Sequence, residues 1–172
     1  MLPEVSGIEE DTPEGERISK RRSEIFKERY LPKLKAFPGT RELLKRMRDE
    51  GLKLVVASSA KEDELNPLLE ISGAADLIEK KTSSDDAENS KPDPDIVKAA
   101  LDSSGLAPDE VVMIGDTPYD IEAASRAGIK AVAFRSGGWK DRDLSGAIAI
   151  YDDAADLLAH YESSPLKRNV SP

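Results

Sequence analysis

Two carboxylates four residues apart, Asp116 and Asp120, are the side chains of this sequence best spaced for metal chemistry. They follow an unbroken apolar run over 111–114, which predicts a buried parallel strand. Gly115 would let the chain turn sharply at the end of that strand, and Pro118 suits the first turn of a helix. Both carboxylates should then meet above the sheet, where open α/β sheets bind their ligands. Hard oxygen ligands in this arrangement suit Mg²⁺ carrying bound waters and a substrate phosphate.

A simpler interpretation exists for either carboxylate alone, as a helix N-cap or as a solvated surface group. It accounts for Asp116 or Asp120 singly. It does not account for both of them directly after a glycine at a strand tip, so we favour the metal site.

Ser58 lies at a second predicted strand tip, directly after an apolar run over 54–57. A helix opens just after it, so its hydroxyl and the amides of Ser59 and Ala60 could hold a phosphate. Taken alone, a serine in this position is more commonly an N-cap.

Lys91 stands in the segment Ser-Lys-Pro-Asp-Pro-Asp, between a polar loop and a predicted helix. Pro92 restricts the backbone of Lys91, and Pro94 favours the start of the helix. A lysine held in this way can neutralise a phosphoryl oxygen as charge develops on it. Without the other positions, a surface lysine in a proline-rich turn would be the preferred interpretation.

Apolar runs alternate with helical patterns from Phe37 onwards, which predicts right-handed βαβ units and a doubly wound parallel sheet in an α/β domain. The predicted strands cover residues 52–57, 75–78, 111–114, 130–134 and 147–151, and the predicted helices cover 14–31, 41–50, 62–71, 95–103, 121–127 and 154–161. We expect a core domain over 37–162 and a flexible tail over 163–172.

Composition narrows the class of protein. At 172 residues, 38% hydrophobic and 34% charged, the chain is long enough to bury a globular core. Its formal charge of −9 argues against a nucleic-acid partner, and no apolar run predicts a membrane span. The absence of cysteine removes disulfides and thiolate chemistry and fits a reducing cytoplasm. The single histidine, His160, leaves no room for a histidine-rich metal site.

Three loop positions carry, in chain order, a hydroxyl, an ammonium group and a pair of carboxylates. This pattern resembles that of the haloacid dehalogenase superfamily of phosphohydrolases. The resemblance, to its phosphoglycolate phosphatase and β-phosphoglucomutase branch, covers roughly residues 37–161. Ser58 corresponds to the second motif of the family and Lys91 to the third. The segment 115–120, Gly-Asp-Thr-Pro-Tyr-Asp, corresponds to the fourth motif and is the most specific of the three.

The resemblance implies a Rossmann-like, three-layer fold and a Mg²⁺-dependent phosphatase of small phosphorylated metabolites. It implies catalytic roles for Ser58 and Lys91, phosphate binding by Ser58, Ser59 and Lys91, and a metal site at Asp116 and Asp120.

One part of the family pattern is absent. The family's nucleophile is the first Asp of an Asp-x-Asp-Gly-Thr motif at the tip of a central first strand, and this sequence contains no such motif. In the family that strand lies between the strands that here end at Ser58 and Asp116, and a helical cap follows it. We therefore expect a core without its first strand and a remnant of the cap over 1–36. An N-terminal truncation, natural or from a misassigned start at Met1, explains this better than an evolved pseudoenzyme.

Other functions stay open. A non-catalytic pseudo-phosphatase that binds phosphate or a partner is the main alternative, and a phosphosugar mutase is an alternative within the family. A dehalogenase fits less well, because the pair Asp116 and Asp120 implies a metal. A response-regulator receiver fails on the order of its residues, because its acidic pair comes first in the chain and its lysine last.

Overall fold

The computed structural model describes residues 7–8, 12–83 and 93–167. Six α-helices in these ranges are α1 (Pro13–Ile25), α2 (Thr40–Asp49), α3 (Glu62–Ser72), α4 (Asp95–Ser104), α5 (Pro118–Arg126) and α6 (Ala154–Ala159). The strands are β1 (Val55–Ala57), β2 (Lys80–Thr82), β3 (Val112–Gly115), β4 (Lys130–Phe134) and β5 (Ala149–Tyr151). Within the described residues, no helix is both long enough and apolar enough to cross a membrane.

The five strands form two sheets, and every pairing is parallel. β1 pairs with β2, with Val55 opposite Lys80. In the second sheet β4 lies between β3 and β5, with Val112 opposite Lys130. Because the paired strands are parallel, their carboxyl ends share one edge of each sheet. The prediction of a doubly wound parallel α/β fold is confirmed.

Helices cover both faces of these sheets and form two apolar clusters. The first joins α2 and α6 to Val132 of β4, and it also contains Leu54 before β1 and Leu77 before β2. The second joins α4 and α5 to Ala131 and Ala133 of β4. Neighbouring residues of β4 thus face opposite clusters, as strand geometry requires.

The two sheets do not pair with each other. Across the residues that the structure describes, β1 pairs only with β2, and β3 pairs with β4 alone. The side chains of β1 and β3 are only half-buried, whereas the three central residues of β4 are buried. The strands β1 and β3, which directly precede Ser58 and Asp116, are the two between which the family resemblance places the absent central strand.

The N-terminal helical segment extends along the predicted range, but it changes from an α-helix to a π-helix and then to a 3₁₀ turn. Thr12 caps α1, its Oγ1 accepting a hydrogen bond of 3.0 Å from the amide of Gly15. A π-helix over Phe26–Tyr30 and a 3₁₀ turn over Leu31–Lys33 follow. In α1 only Gly15 is buried, so this helix buries no side chain in the core. Its assignment to a cap remnant stays a prediction.

The strand predicted over 75–78 is wrong. Residues Ala75–Leu77 form a 3₁₀ turn, and the strand follows it at Lys80–Thr82. Leu77 is buried in the first apolar cluster, so its apolar neighbourhood marks a packed turn rather than a strand. The strand itself carries two exposed lysines at the outer side of the sheet, a pattern usual for edge strands.

The core also reaches further along the chain than the predicted boundary. Leu166 is buried in the first cluster, and the ammonium group of Lys167 lies 3.0 Å from a carboxylate oxygen of Glu50. Leu166 and Lys167 of the expected tail therefore contact the core and the end of α2, while 168–172 lie outside the described residues.

Two glycines with positive φ allow a matched test of packing in this fold. Gly39 caps α2 with φ 74°, and a Cβ added there would lie 2.8 Å from the Cα of Ala155. Gly51 has φ 83° with open space around it. We expect Gly51→Ala to lower the free energy of unfolding by about 1 kcal/mol. Gly39→Ala should cost about 1–3 kcal/mol more, because α2 and α6 must move apart.

Urea unfolding followed by the fluorescence of Trp139, the single tryptophan, measures both losses. Equal losses for the two variants would show that the contact between Gly39 and Ala155 contributes nothing.

Candidate active site

The turn after β3 is held by the side chain of Asp120. Its Oδ2 accepts hydrogen bonds from the amides of Asp116 (3.2 Å) and Thr117 (3.0 Å) and from the Thr117 hydroxyl (2.7 Å). Thr117 Oγ1 in turn accepts a hydrogen bond of 3.2 Å from the amide of Asp120. This reciprocal capping box fixes the first turn of α5 and, with it, the position of Asp116 at the strand tip.

Gly115 serves this turn through its size. The chain turns after Gly115, as expected, but its φ is not positive, so the turn does not depend on a left-handed backbone there. A Cβ added to Gly115 would lie 2.4 Å from the Cβ of Asp120, which real side chains do not allow. The glycine therefore makes room for the Asp120 carboxylate to reach back over the end of β3.

The structure places Asp116 and Asp120 on one turn, as the sequence predicts. Asp120 is 7% exposed, and Asp116 is half-buried. Among residues 7–8, 12–83 and 93–167, no three acidic or histidine side chains converge as a metal site. Two carboxylates that are completed by waters and a phosphate are nevertheless a common donor set for Mg²⁺, so this pair fits that ion.

Ser58 occupies the tip of β1, as predicted, but it does not cap α3. Its amide donates to the carbonyl oxygen of Thr82 at 3.0 Å, which continues the pairing of β1 with β2. Its Oγ accepts a hydrogen bond of 3.1 Å from the amide of Ala60, which closes a tight turn before α3. Ser59, in the middle of this turn, is exposed. The N-cap interpretation of Ser58 is therefore wrong.

Lys91 lies outside the described residues, so its predicted role stays a prediction. The described segment begins again at Asp93, whose Oδ1 accepts a hydrogen bond of 3.2 Å from the amide of Asp95. This short turn starts α4 directly after the Lys-Pro dipeptide.

A loop that the sequence did not single out supports the Asp116 turn. A Cβ on Gly137 would lie 2.0 Å from the carbonyl oxygen of Asp116, so the loop after β4 packs directly on that residue. Arg135, at the start of the loop, donates to both carboxylate oxygens of Asp141 (2.7 and 2.9 Å) and to Asp152 (2.7 Å). These bonds raise the pKa of Arg135 and lower the pKa of Asp141.

The fold and this turn define a class of protein, a doubly wound α/β protein with an acidic site at the carboxyl edge of its sheet. Residues 4–134 match the model of the haloacid dehalogenase-like hydrolase family, and the chain belongs to that family.

Curated relatives support the predicted branch. The phosphoglycolate phosphatase of Rhodospirillum rubrum is 36% identical over 122 residues, which cover 70% of this chain and 51% of that protein. The phosphoglycolate phosphatase of Escherichia coli strain K12 is 32% identical over 124 residues, 71% of this chain and 49% of that one. The chain thus spans about half the length of the curated relatives it matches.

Solved structures share the fold. A hydrolase from Pseudomonas syringae is 34% identical and superposes with a TM-score of 0.81, over 88% of this chain and 71% of that chain. β-Phosphoglucomutase from Clostridium difficile has a TM-score of 0.76 at 19% identity, over 88% of this chain and 67% of that chain. The second likeness shows the fold alone.

The geometry separates the roles of the two carboxylates in stability. We expect Asp120→Ala to lower the free energy of unfolding by about 2–3 kcal/mol, because two amides and a hydroxyl lose a charged acceptor. Asp116→Asn keeps the backbone amide that donates to Asp120, so this change should lower the free energy of unfolding by less than about 1 kcal/mol. Urea unfolding of both variants tests this difference. Equal losses would contradict the assignment of Asp120 as the residue that holds the turn.

Proposed function

We propose that this chain forms most of the core of a Mg²⁺-dependent phosphatase acting on small phosphorylated metabolites. The observation that carries the proposal is the Asp120–Thr117 capping box, which holds Asp116 at the carboxyl end of β3. Membership of the family and likeness to phosphoglycolate phosphatases support it. Phosphoglycolate and sugar phosphates are the first substrates to test.

Each predicted residue has a role in this proposal. The turn at Ser58 and Ser59 binds the phosphoryl oxygens, and Lys91 neutralises the charge that develops on them. Asp116 would hold Mg²⁺. Asp120 adds negative charge and fixes the turn, because its Oδ2 already accepts from three donors. When bound, Mg²⁺ supplies positive charge to the phosphate and to the developing charge on its oxygens.

The proposal leaves this sequence without a residue to attack phosphorus. The 172 residues contain no Asp-x-Asp-Gly-Thr motif, and serine, lysine and the acidic pair bind and orient the phosphate without forming a bond to it. The proposal therefore assigns the nucleophile to a segment outside this sequence. A phosphosugar mutase would use the same residues.

The absent motif also favours a second candidate, a pseudo-phosphatase that binds phosphate or a partner without turnover. The two candidates differ in one respect. The phosphatase needs a nucleophile added to this chain, whereas the binding module needs none.

We expect the purified chain alone to show no phosphatase activity above background. Positioning and electrostatics remain, but nothing attacks phosphorus. p-Nitrophenyl phosphate and a panel of sugar phosphates with Mg²⁺ are the substrates for this assay. Turnover that survives Asp116→Ala would indicate a contaminating enzyme. Turnover that Asp116→Ala abolishes would contradict the prediction.

We expect activity to return when a peptide that contains an apolar strand, Asp-x-Asp-Gly-Thr and the front of a cap is fused ahead of Met1. The strand should insert in the break between β1 and β3, since helices already cover both faces there. The fusion should melt at a higher temperature than the chain alone and hydrolyse a phosphomonoester only with Mg²⁺.

Two variants of that fusion test the site. Lys91→Ala should lower turnover by about 10²-fold or more, because a positioned cation acts on the transition state. Lys53→Ala, a change at an exposed lysine before β1, should leave turnover unchanged. A folded fusion whose turnover does not depend on Lys91 would overturn the proposed chemistry.

A further inference from the structure

Three consecutive carboxylates open α3, directly after the Ser58 turn. Glu62, Asp63 and Glu64 form the first turn of this helix, where negative charge is favourable beside the helix dipole. The same charges repel an anion that approaches the turn at Ser58 and Ser59. In the proposed function that anion is a phosphate, so these carboxylates oppose its binding.

Each of the three carboxylates has a cation from a different element. The Lys81 ammonium of β2 lies 3.4 Å from Glu62, and the Lys27 ammonium of the π-helix lies 2.5 Å from Asp63. The guanidinium of Arg22 on α1 donates to Glu64 at 2.9 Å. The hydrogen bond from Lys27 holds the pKa of Asp63 below its usual value. Two of the three neutralising cations therefore come from the N-terminal segment.

Of the three acidic side chains, Glu64, the partner of Arg22, is the least exposed to solvent. The side chain of Glu64 is 4% exposed, compared with 62% for Asp63. Solvent screens a buried charge less than an exposed one, so the charge of Glu64 acts over a longer range when it is not paired. The helix α1 buries no side chain of its own in the core, and ion pairs join Arg22 of this helix and Lys27 of the following π-helix to α3.

We propose that Arg22 and Lys27 are positioning residues of the phosphate site, which raise its affinity by neutralising the first turn of α3. The inference rests on the proposed phosphate-binding role of the Ser58 turn. The coupling is reciprocal: docking of the N-terminal helix on α3 favours the phosphate, and bound phosphate favours docking to the same extent.

The two partners of one ion pair should have opposite effects on phosphate affinity. Arg22→Gln leaves the charge of Glu64 unpaired and should weaken binding by about three- to tenfold at low salt. Glu64→Gln removes that charge and should strengthen binding. The double variant should lie near the unmodified protein. A role confined to holding α1 in place would instead make both single changes weaken binding.

The chain provides a matched control on the same helix. Arg21 pairs at 3.0 Å with Glu24, within α1, and has the same charge as its neighbour Arg22. Arg21→Gln should leave phosphate affinity unchanged within about twofold, since Arg21 neutralises an exposed carboxylate of its own helix and none on α3. The exposed pair of Lys27 and Asp63 gives a second test, in which Lys27→Gln weakens and Asp63→Asn strengthens binding, without disturbing a buried group.

The measurement is a titration of the ¹⁵N-labelled chain with inorganic phosphate, following the amide signals of Ser59 and Ala60. The differences between variants should shrink in 0.5 M NaCl, about the concentration at which such charges are screened. If Arg22→Gln and Glu64→Gln both weaken binding, or Arg21→Gln matches Arg22→Gln, the inference is overturned while the phosphate site stands. If phosphate moves neither amide of the unmodified chain, the phosphate site and the inference both fail.

Discussion

Apolar packing of helices across both faces of the sheet layer is the constraint on which this structure depends. The described strands form two sheets, and no strand of one sheet pairs with a strand of the other. The cluster around Leu157 includes residues next to β1 and β2 as well as Val132 of β4. The cluster around Ile96 joins Ala57 of β1 to the strands of the second sheet. Side chains on helices therefore hold the loops of both sheets at one edge.

The candidate site is built from turns at that edge, and each turn has its own local support. The capping box of Thr117 and Asp120 sets the turn after β3, and the Ser58 hydroxyl closes the turn after β1. Arg135 joins the loop after β4 to Asp152 at the end of β5. Because these supports are short-range, the turns keep their shapes even where the sheet between them is interrupted.

Features of the fold and the site could be predicted where the residues that determine them are close together in the sequence. The run over 111–114 and the carboxylates of its turn are local patterns, and the structure has the strand and the turn where they indicate. The apolar residues near Leu77 are equally local but ambiguous, because a short buried turn and a short strand have the same composition.

Long-range partners could not be predicted in the same way. Arg22 and Glu64 are 42 residues apart, and both occur in charged segments typical of solvated helices. The contact of Gly137 with Asp116 depends on how two loops pack, and a glycine before a second glycine predicts only a turn. Such features need the fold before they can be recognised, since no local periodicity marks them.

The break between the sheets has a consequence for the self-association of this chain in concentrated solution. The outer strand β2 carries Lys80 and Lys81, and such charges discourage the stacking of one molecule on another. The strands that border the break, with Val56 and Met113, are uncharged and half-buried. Self-association should therefore begin at β1 and β3, which border the break, rather than at the outer strand β2. The solubility of the chain should then depend more on its concentration, or on a segment that covers the break, than on its net charge.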